Sequence, residues 1–129
     1  MKEVTIVTHN GGFHADDVFA VVTVILFLPK DTKYSVVRTR DMEAISRADY
    51  VVDVGRVYDP SERRFDHHQE AGGGVRENGI PYASFGLVWK EFGTQVAGNE
   101  KLARIIEEKL VLPIDAADNG VTVYSPVFE

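Results

Sequence analysis

Runs of β-branched residues alternate with helix-forming stretches through the first half of this chain, and that alternation limits the fold more than any other feature. Glu3 to Thr8 carries Val-Thr-Ile-Val-Thr and predicts a strand, which Gly11-Gly12 then breaks. Asp16 can cap a helix from about Asp17 to Leu28, and Pro29 stops it. Tyr34 to Thr39 predicts a second strand and Asp41 to Arg47 a short helix. Tyr50 to Gly55 predicts a buried third strand that closes on an acid and a glycine. Strand, helix, strand, helix, strand is the order of a parallel sheet covered by helices. The expected fold class is therefore α/β, with a mainly parallel sheet flanked by helices.

Tyr58-Asp59-Pro60-Ser61 reads as a turn, Arg63 to His68 as an approach segment, and the glycine-rich stretch Glu70 to Ile80 as a mobile loop. Helices are expected over Tyr82 to Phe92 and over Asn99 to about Leu112. Pro113 should end the latter and leave Asp115 to Gly120 as a turn, while the last nine residues carry no firm signal. A length of 129 residues fits one domain over 1–129. Without cysteine there is no disulfide and no thiolate metal site. The apolar run Val18 to Leu28 is too short to span a bilayer, which takes about 20 residues, and two aspartates precede it where a signal peptide would be basic. These features predict a cytoplasmic chain with no membrane partner. The net charge of −6 argues weakly against a polyanionic partner, since bound divalent cations would offset part of it.

All four histidines lie in two short acidic clusters, Thr8 to Asp17 and Phe65-Asp66-His67-His68-Gln69. Imidazole beside carboxylate is a ligand set for divalent transition metals. Glycines at 11 and 12 let His9, His14 and Asp16 face one point, although Asp16 could equally serve only as a helix cap. Asp53 follows apolar strand residues, where a buried carboxylate is costly unless paired or bound to metal. Each of its oxygens could serve one ion; the plainer alternative is a solvated strand end. In the triplet, Asp66 is expected to orient the His67 ring for metal, leaving His68 to meet substrate or move a proton. Of the late acids Asp115 and Asp118, the second is the expected ligand.

Ligands in open parallel sheets collect at the carboxyl ends of the strands, which is where His9 and Asp53 fall. The predicted ligands are His9, His14, Asp16, Asp53, His67 and Asp118, gathered in one crevice, with Asp66 and His68 catalytic. Six oxygen and nitrogen donors without sulfur suit two divalent cations, manganese first, with magnesium, cobalt or iron as alternatives. Two ions about 3.5–4 Å apart activate water and clamp an in-line phosphoryl displacement. Arg63, Arg64 and Arg76 are candidates to bind substrate, with solvated surface charge the equal alternative.

These residues resemble the DHH phosphoesterase superfamily. Its signatures are a His/Asp loop after the first strand, an aspartate after a later strand, an Asp-His-His triplet and a final aspartate turn. Here they correspond to His9 to Asp17, Asp53, Asp66-His67-His68, and Asp115 to Asp118. The wording around them, with Tyr58-Asp59-Pro60, Phe65 to Gln69, Ala83 to Trp89 and Asp115 to Gly120, resembles the melanocyte-proliferating-gene branch. That resemblance implies a metal-dependent hydrolase and, from eukaryotic members, a 3′-to-5′ RNA exonuclease. His14 departs from the wider superfamily, whose other branches carry aspartate there. Members of the branch continue well past the Asp-Asn-Gly turn into a second domain, so the resemblance covers the catalytic half alone.

The expected function is hydrolysis of phosphodiesters in nucleic acid or nucleotide substrates, as a 3′-to-5′ exonuclease or an oligonucleotide hydrolase. A small-molecule phosphatase of pyrophosphatase type is the nearest enzymatic alternative. A metal- and nucleotide-binding module without turnover is the alternative from another class. A crevice lacking its covering domain could also be completed by a second copy in a homo-oligomer.

Overall fold

The computed structural model describes residues 2–122, 125 and 127. The expected alternation is present. Strand β1 (Val4–Thr8) leads to helix α1 (Ala15–Phe27), strand β2 (Tyr34–Arg38), helix α2 (Met42–Arg47) and strand β3 (Tyr50–Val52). These are followed by β4 (Tyr58–Asp59), a 3-10 turn over Pro60–Glu62 and β5 (Arg64–Phe65). Then come α3 (Ser84–Ala97), α4 (Glu100–Ile106), a π-helical segment over Glu107–Val111 and α5 (Leu112–Asp118). Among the described residues no helix is long and apolar enough to cross a membrane.

The sheet runs β2-β1-β3-β5-β4. β1 pairs in parallel with both β2 and β3, β3 pairs in parallel with β5, and only β4 runs antiparallel. The fold is α/β. The chain leaves β1 toward β2 and returns on the other side of β1 as β3. The carboxyl ends of β1 and β3 are thus neighbours at the point where the strand order reverses, the place where open parallel sheets form a ligand crevice.

Strand alternation covers both faces of the sheet. Ile6, Tyr50, Val52 and Phe65 point into one core with α1 and α3, where Phe85, Leu87, Val88 and Phe92 meet them. Val7, Val51 and Val54 point the other way, into a smaller core under Ile45 and Ala48 of the α2 region. Helices bury β1 and β3 on both faces, while β2 at the edge of the sheet stays largely exposed.

Several element boundaries differ from the sequence expectation. β3 ends three residues early, because Asp53, Gly55 and Arg56 all adopt positive φ (56°, 90° and 58°) and turn the chain out of the sheet. The segment expected as a turn and an approach is an antiparallel β4–β5 ribbon, too short to show period-two patterning. Helix α3 continues to Ala97, where Gly98 closes it at φ 101°. Pro113 does not end the last helical stretch. The preceding residues widen into a π-helical turn, so the missing N–H and the ring of Pro113 are taken up in α5. Asp115 and Asp118 consequently lie on a helix rather than in a turn.

Candidate metal centre

The acidic and imidazole groups meet above the carboxyl ends of β1, β3 and β5. His9 follows β1 and is buried, with Nδ1 2.9 Å from the carbonyl of Asn10. Its Nε2 lies 3.2 Å from Asp53 Oδ2 and 3.0 Å from Asp17 Oδ2. Asp53 follows β3, and its other oxygen, Oδ1, lies 3.5 Å from His67 Nε2 and accepts from Ser84 Oγ at 3.2 Å. His67, after β5, also places Nε2 3.0 Å from Asp118 Oδ2 at the end of α5 and 3.4 Å from Asp16 Oδ2 in the first turn of α1. His14 caps α1 and stacks edge-on against His9 with ring centroids 5.6 Å apart. His9, His14, Asp16, Asp53, His67 and Asp118 are thus brought together, and Asp53 presents one oxygen to each of the two histidine groups.

Burial and mutual repulsion set the charge state of this cluster. Burial foremost, then the carboxylates of Asp53 and Asp118, push Asp16 up to about 7, against the lowering influence of His67 and the Phe85 N–H. Burial alone would lower His67, but the carboxylates of Asp118, Asp16 and Asp53 outweigh it and push the ring up to about 12. Yet none of these oxygens meets hydrogen-bond geometry at Nε2, which is buried without a partner. A buried imidazole nitrogen surrounded by misaligned carboxylates has the donor set of a cation site. Three groups within this cluster have ligand atoms close enough to share an ion: His9, His14 and Asp17; Asp53, His67 and His68; and Asp16, His67 and Asp118.

The Asp-His-His triplet divides its tasks differently from the sequence expectation. Asp66 does not hold the His67 ring. Its Oδ1 takes the His67 backbone N–H at 2.8 Å and lies 2.6 Å from Nδ1 of His68. Oδ2 takes the backbone N–H of Arg56 at 2.7 Å. The Asp66 carboxylate holds His68 above its ordinary pKa, against the opposing pull of burial. Burial would raise Asp66 itself, but the bonds from His68 and the Arg56 N–H outweigh it and hold it low. His68 is half exposed and lines the cleft.

The arginines expected at the substrate are engaged elsewhere. Arg64 donates to the carbonyls of Ile45, Ser46 and Ala48 and closes the end of α2. Arg63 stacks on Tyr50 at 4.9 Å, at the amino-terminal end of β3. Arg76 bridges Glu107 at 2.6 Å and Asp115 at 2.7 Å. None of the three lines the cleft; Arg40 and Arg56 do.

Sequence reasoning also missed Asp17 and Ser84. Asp17 accepts the His14 N–H at 2.8 Å and meets Arg38 at 3.3 Å, besides facing His9. The Asp16-Asp17 doublet was its only signal. The first turn of α3 has no side-chain cap of its own, since Ala83 stands at that position. Asp16 takes the N–H groups of Phe85 (2.7 Å) and Ser84 (3.3 Å), and Asp115 takes that of Gly86 (3.0 Å). The positive end of α3 thereby holds two buried acids from other helices. Burial raises Asp115 to about 6, with Arg76 opposing.

A family described as an uncharacterised protein family (UPF0160), of the MYG1 exonuclease type, matches residues 5–129. The chain belongs to the MYG1 family. It is 34% identical over 96% of its length to the MYG1 protein of Dictyostelium discoideum, covering 41% of that protein. Against the MYG1 exonuclease of Mus musculus it is 35% identical over 92% of its length, covering 36% of the relative. Against a MYG1 protein of Chlamydia pneumoniae it is 36% identical over 88%, covering 37%. The chain thus spans about two fifths of the length of these MYG1 relatives. No solved structure matches.

Proposed function

We propose that this chain is a divalent-metal-dependent phosphodiesterase of the DHH type, acting as a 3′-to-5′ exonuclease or oligonucleotide hydrolase. One observation carries the reading: the two oxygens of Asp53 face two different histidines, His9 at 3.2 Å and His67 at 3.5 Å. A carboxylate so placed suits a bridge between two cations. The name of the mouse relative, MYG1 exonuclease, supports the choice of substrate.

The residues fit such a pair of ions, because the buried Nε2 of His67 has no other partner. His9, His14 and Asp53 would hold one, and Asp53, Asp16, His67 and Asp118 the other. Manganese suits this mixed oxygen and nitrogen set, with magnesium, cobalt or iron as alternatives. When bound, the ions activate water and neutralise charge on the phosphoryl oxygens.

The protein's own part is positioning and proton transfer. Asp66 fixes the His68 ring through Nδ1, leaving Nε2 to give a proton to the departing oxygen as the P–O bond breaks. The new bond forms from the water oxygen to phosphorus. Ser84 and Asp17 hold Asp53 and the His14 loop in place.

The test is a panel with manganese: 3′-labelled oligonucleotides, dinucleotides, pyrophosphate and a generic phosphodiester. Release of nucleotides from the 3′ end, abolished by a chelator, is the expected result. Turnover of pyrophosphate alone would make the chain a small-molecule phosphatase. Tight metal binding without turnover would make it a binding module.

A further inference from the structure

The cleft above the metal ligands has a volume of about 630 Å³, within the range that takes a nucleotide-sized ligand. Its buried lining includes His9, Asp53 and Asp66, and its exposed lining adds two arginines to His14, His68 and Asp118. Arg40 and Arg56 are the only arginine or lysine residues among those lining it, and both are exposed. Arg40 stands beside the His9 loop, and Arg56 is next to the Asp-His-His triplet.

Arg40 follows β2 and places Nη1 2.7 Å from the carbonyl of Asn10, the residue next to His9, with the Asn10 side-chain oxygen also on Nη1. Arg56 follows β3 in the left-handed region at φ 58°, pinned there by its backbone bond to Asp66. Among the described residues, no acceptor takes the Arg56 guanidinium, and only Nη1 of Arg40 is used. Three other arginines are engaged within the fold: Arg38 by Asp17, Arg64 by the carbonyls at the end of α2, and Arg76 by Asp115. The same cleft is also lined by the apolar side chains of Met42, Ile45 and Val54, with Met42 64% exposed.

An arginine fork matches the geometry of a phosphate, and a thioether edge suits a sugar or base. Building on the phosphodiesterase reading, we propose that Arg40 and Arg56 form a second anion subsite, which binds the phosphate next to the scissile one on its 5′ side. The substrates it selects are phosphodiesters carrying at least two phosphates, rather than isolated diesters.

The experiment compares a 5′-phosphorylated dinucleotide with the same dinucleotide lacking that phosphate. Each is assayed with manganese, and its binding is measured on chelator-treated protein. The wild-type chain should prefer the phosphorylated form about tenfold or more in kcat/KM, the scale of a charge-assisted phosphate contact. The ratio should collapse toward one in the R40Q/R56Q double variant and return in part with R40K/R56K. A ratio that persists in the double variant, or a wild type without preference, overturns the subsite whatever the absolute rates. If neither dinucleotides nor 3′-labelled oligonucleotides turn over, the phosphodiesterase reading fails. The binding ratio then decides the subsite independently, by whether the preference exists and whether R40Q/R56Q removes it.

Discussion

Asp115 Oδ2 lies 1.8 Å from the point where a Cβ on Gly86 would stand, so the α3–α5 contact closes only over a glycine. The same Cβ would meet Asp115 Cγ at 2.8 Å and Arg76 Nη2 at 2.9 Å. Gly86→Ala must therefore displace a buried carboxylate from both the α3 N–H that it accepts and the arginine that neutralises it. Breaking a buried charged pair costs about 3–5 kcal/mol. Urea unfolding of Gly86→Ala should show a loss of that order. Gly12→Ala is the control: nothing lies within 4 Å of its Cβ position, and its stability should stay within about 0.5 kcal/mol of wild type.

Asp53 is a second place where local stability yields to the site. It is buried, sits at φ 56°, and shares the surroundings of His67 with Asp16 and Asp118. Asparagine tolerates the same backbone conformation and removes one of the crowded charges. Metal-free Asp53→Asn should be as stable as the wild type or up to about 1–2 kcal/mol more so. Manganese should raise the Tm of the wild type but not that of the variant, and the variant should show no metal-dependent hydrolysis. Calorimetry with and without manganese checks both parts; a full metal-induced shift in the variant would refute the bridging role.

The parts of the fold that could be read in advance were those with repeated local signals. β1 and β3 are apolar runs closed by glycine or an acid, and α1 lies between a glycine pair and a proline, so periodicity and breakers agree. The ligand candidates were legible because imidazole and acid are rare together. What stayed hidden depends on contacts distant in sequence. Arg76 looked like a free cation in a glycine loop, but its partners Glu107 and Asp115 lie 31 and 39 residues away. Arg64 beside the triplet points toward α2 because adjacent strand residues face opposite sides. Pro113 failed as a stop signal because the π-helical turn before it absorbed its ring. Arg40 and Arg56 gave no motif at all; only the placement of the β2 and β3 ends on either side of β1 brings them to one cleft.

Proton release should accompany metal binding. In the metal-free chain His67 is protonated up to about 12, and Asp16 titrates near about 7. Both must lose their protons to serve as ligands. The raised pKa values mean that protons compete below neutrality, so affinity should fall as pH drops from about 8 to about 6. Titration calorimetry in buffers of differing ionisation enthalpy should report at least about one proton released per chain at pH 7. Uptake without release, and an affinity flat across this range, would contradict the ligand assignment of both residues.

The bond between Asp66 Oδ1 and His68 Nδ1, 2.6 Å long, predicts the alkaline limb of the pH–rate profile. A raised histidine pKa keeps the ring charged to higher pH, so a His68 acting as acid retains its proton there. Asp66→Asn removes the negative partner, and the proton should leave at lower pH, nearer the ordinary value of about 6.5. The falling limb of kcat should move to lower pH, with the loss slight near pH 6 and growing as pH rises toward 8. The His68 ring protons, followed by NMR in the metal-free chain, should shift their midpoint in the same direction. That second measurement separates a lost proton donor from a disturbed loop, because Asp66 also holds the backbone of His67 and Arg56. If the midpoint moves and the rate profile does not, His68 is not the acid. If neither moves, Asp66 does not set its charge.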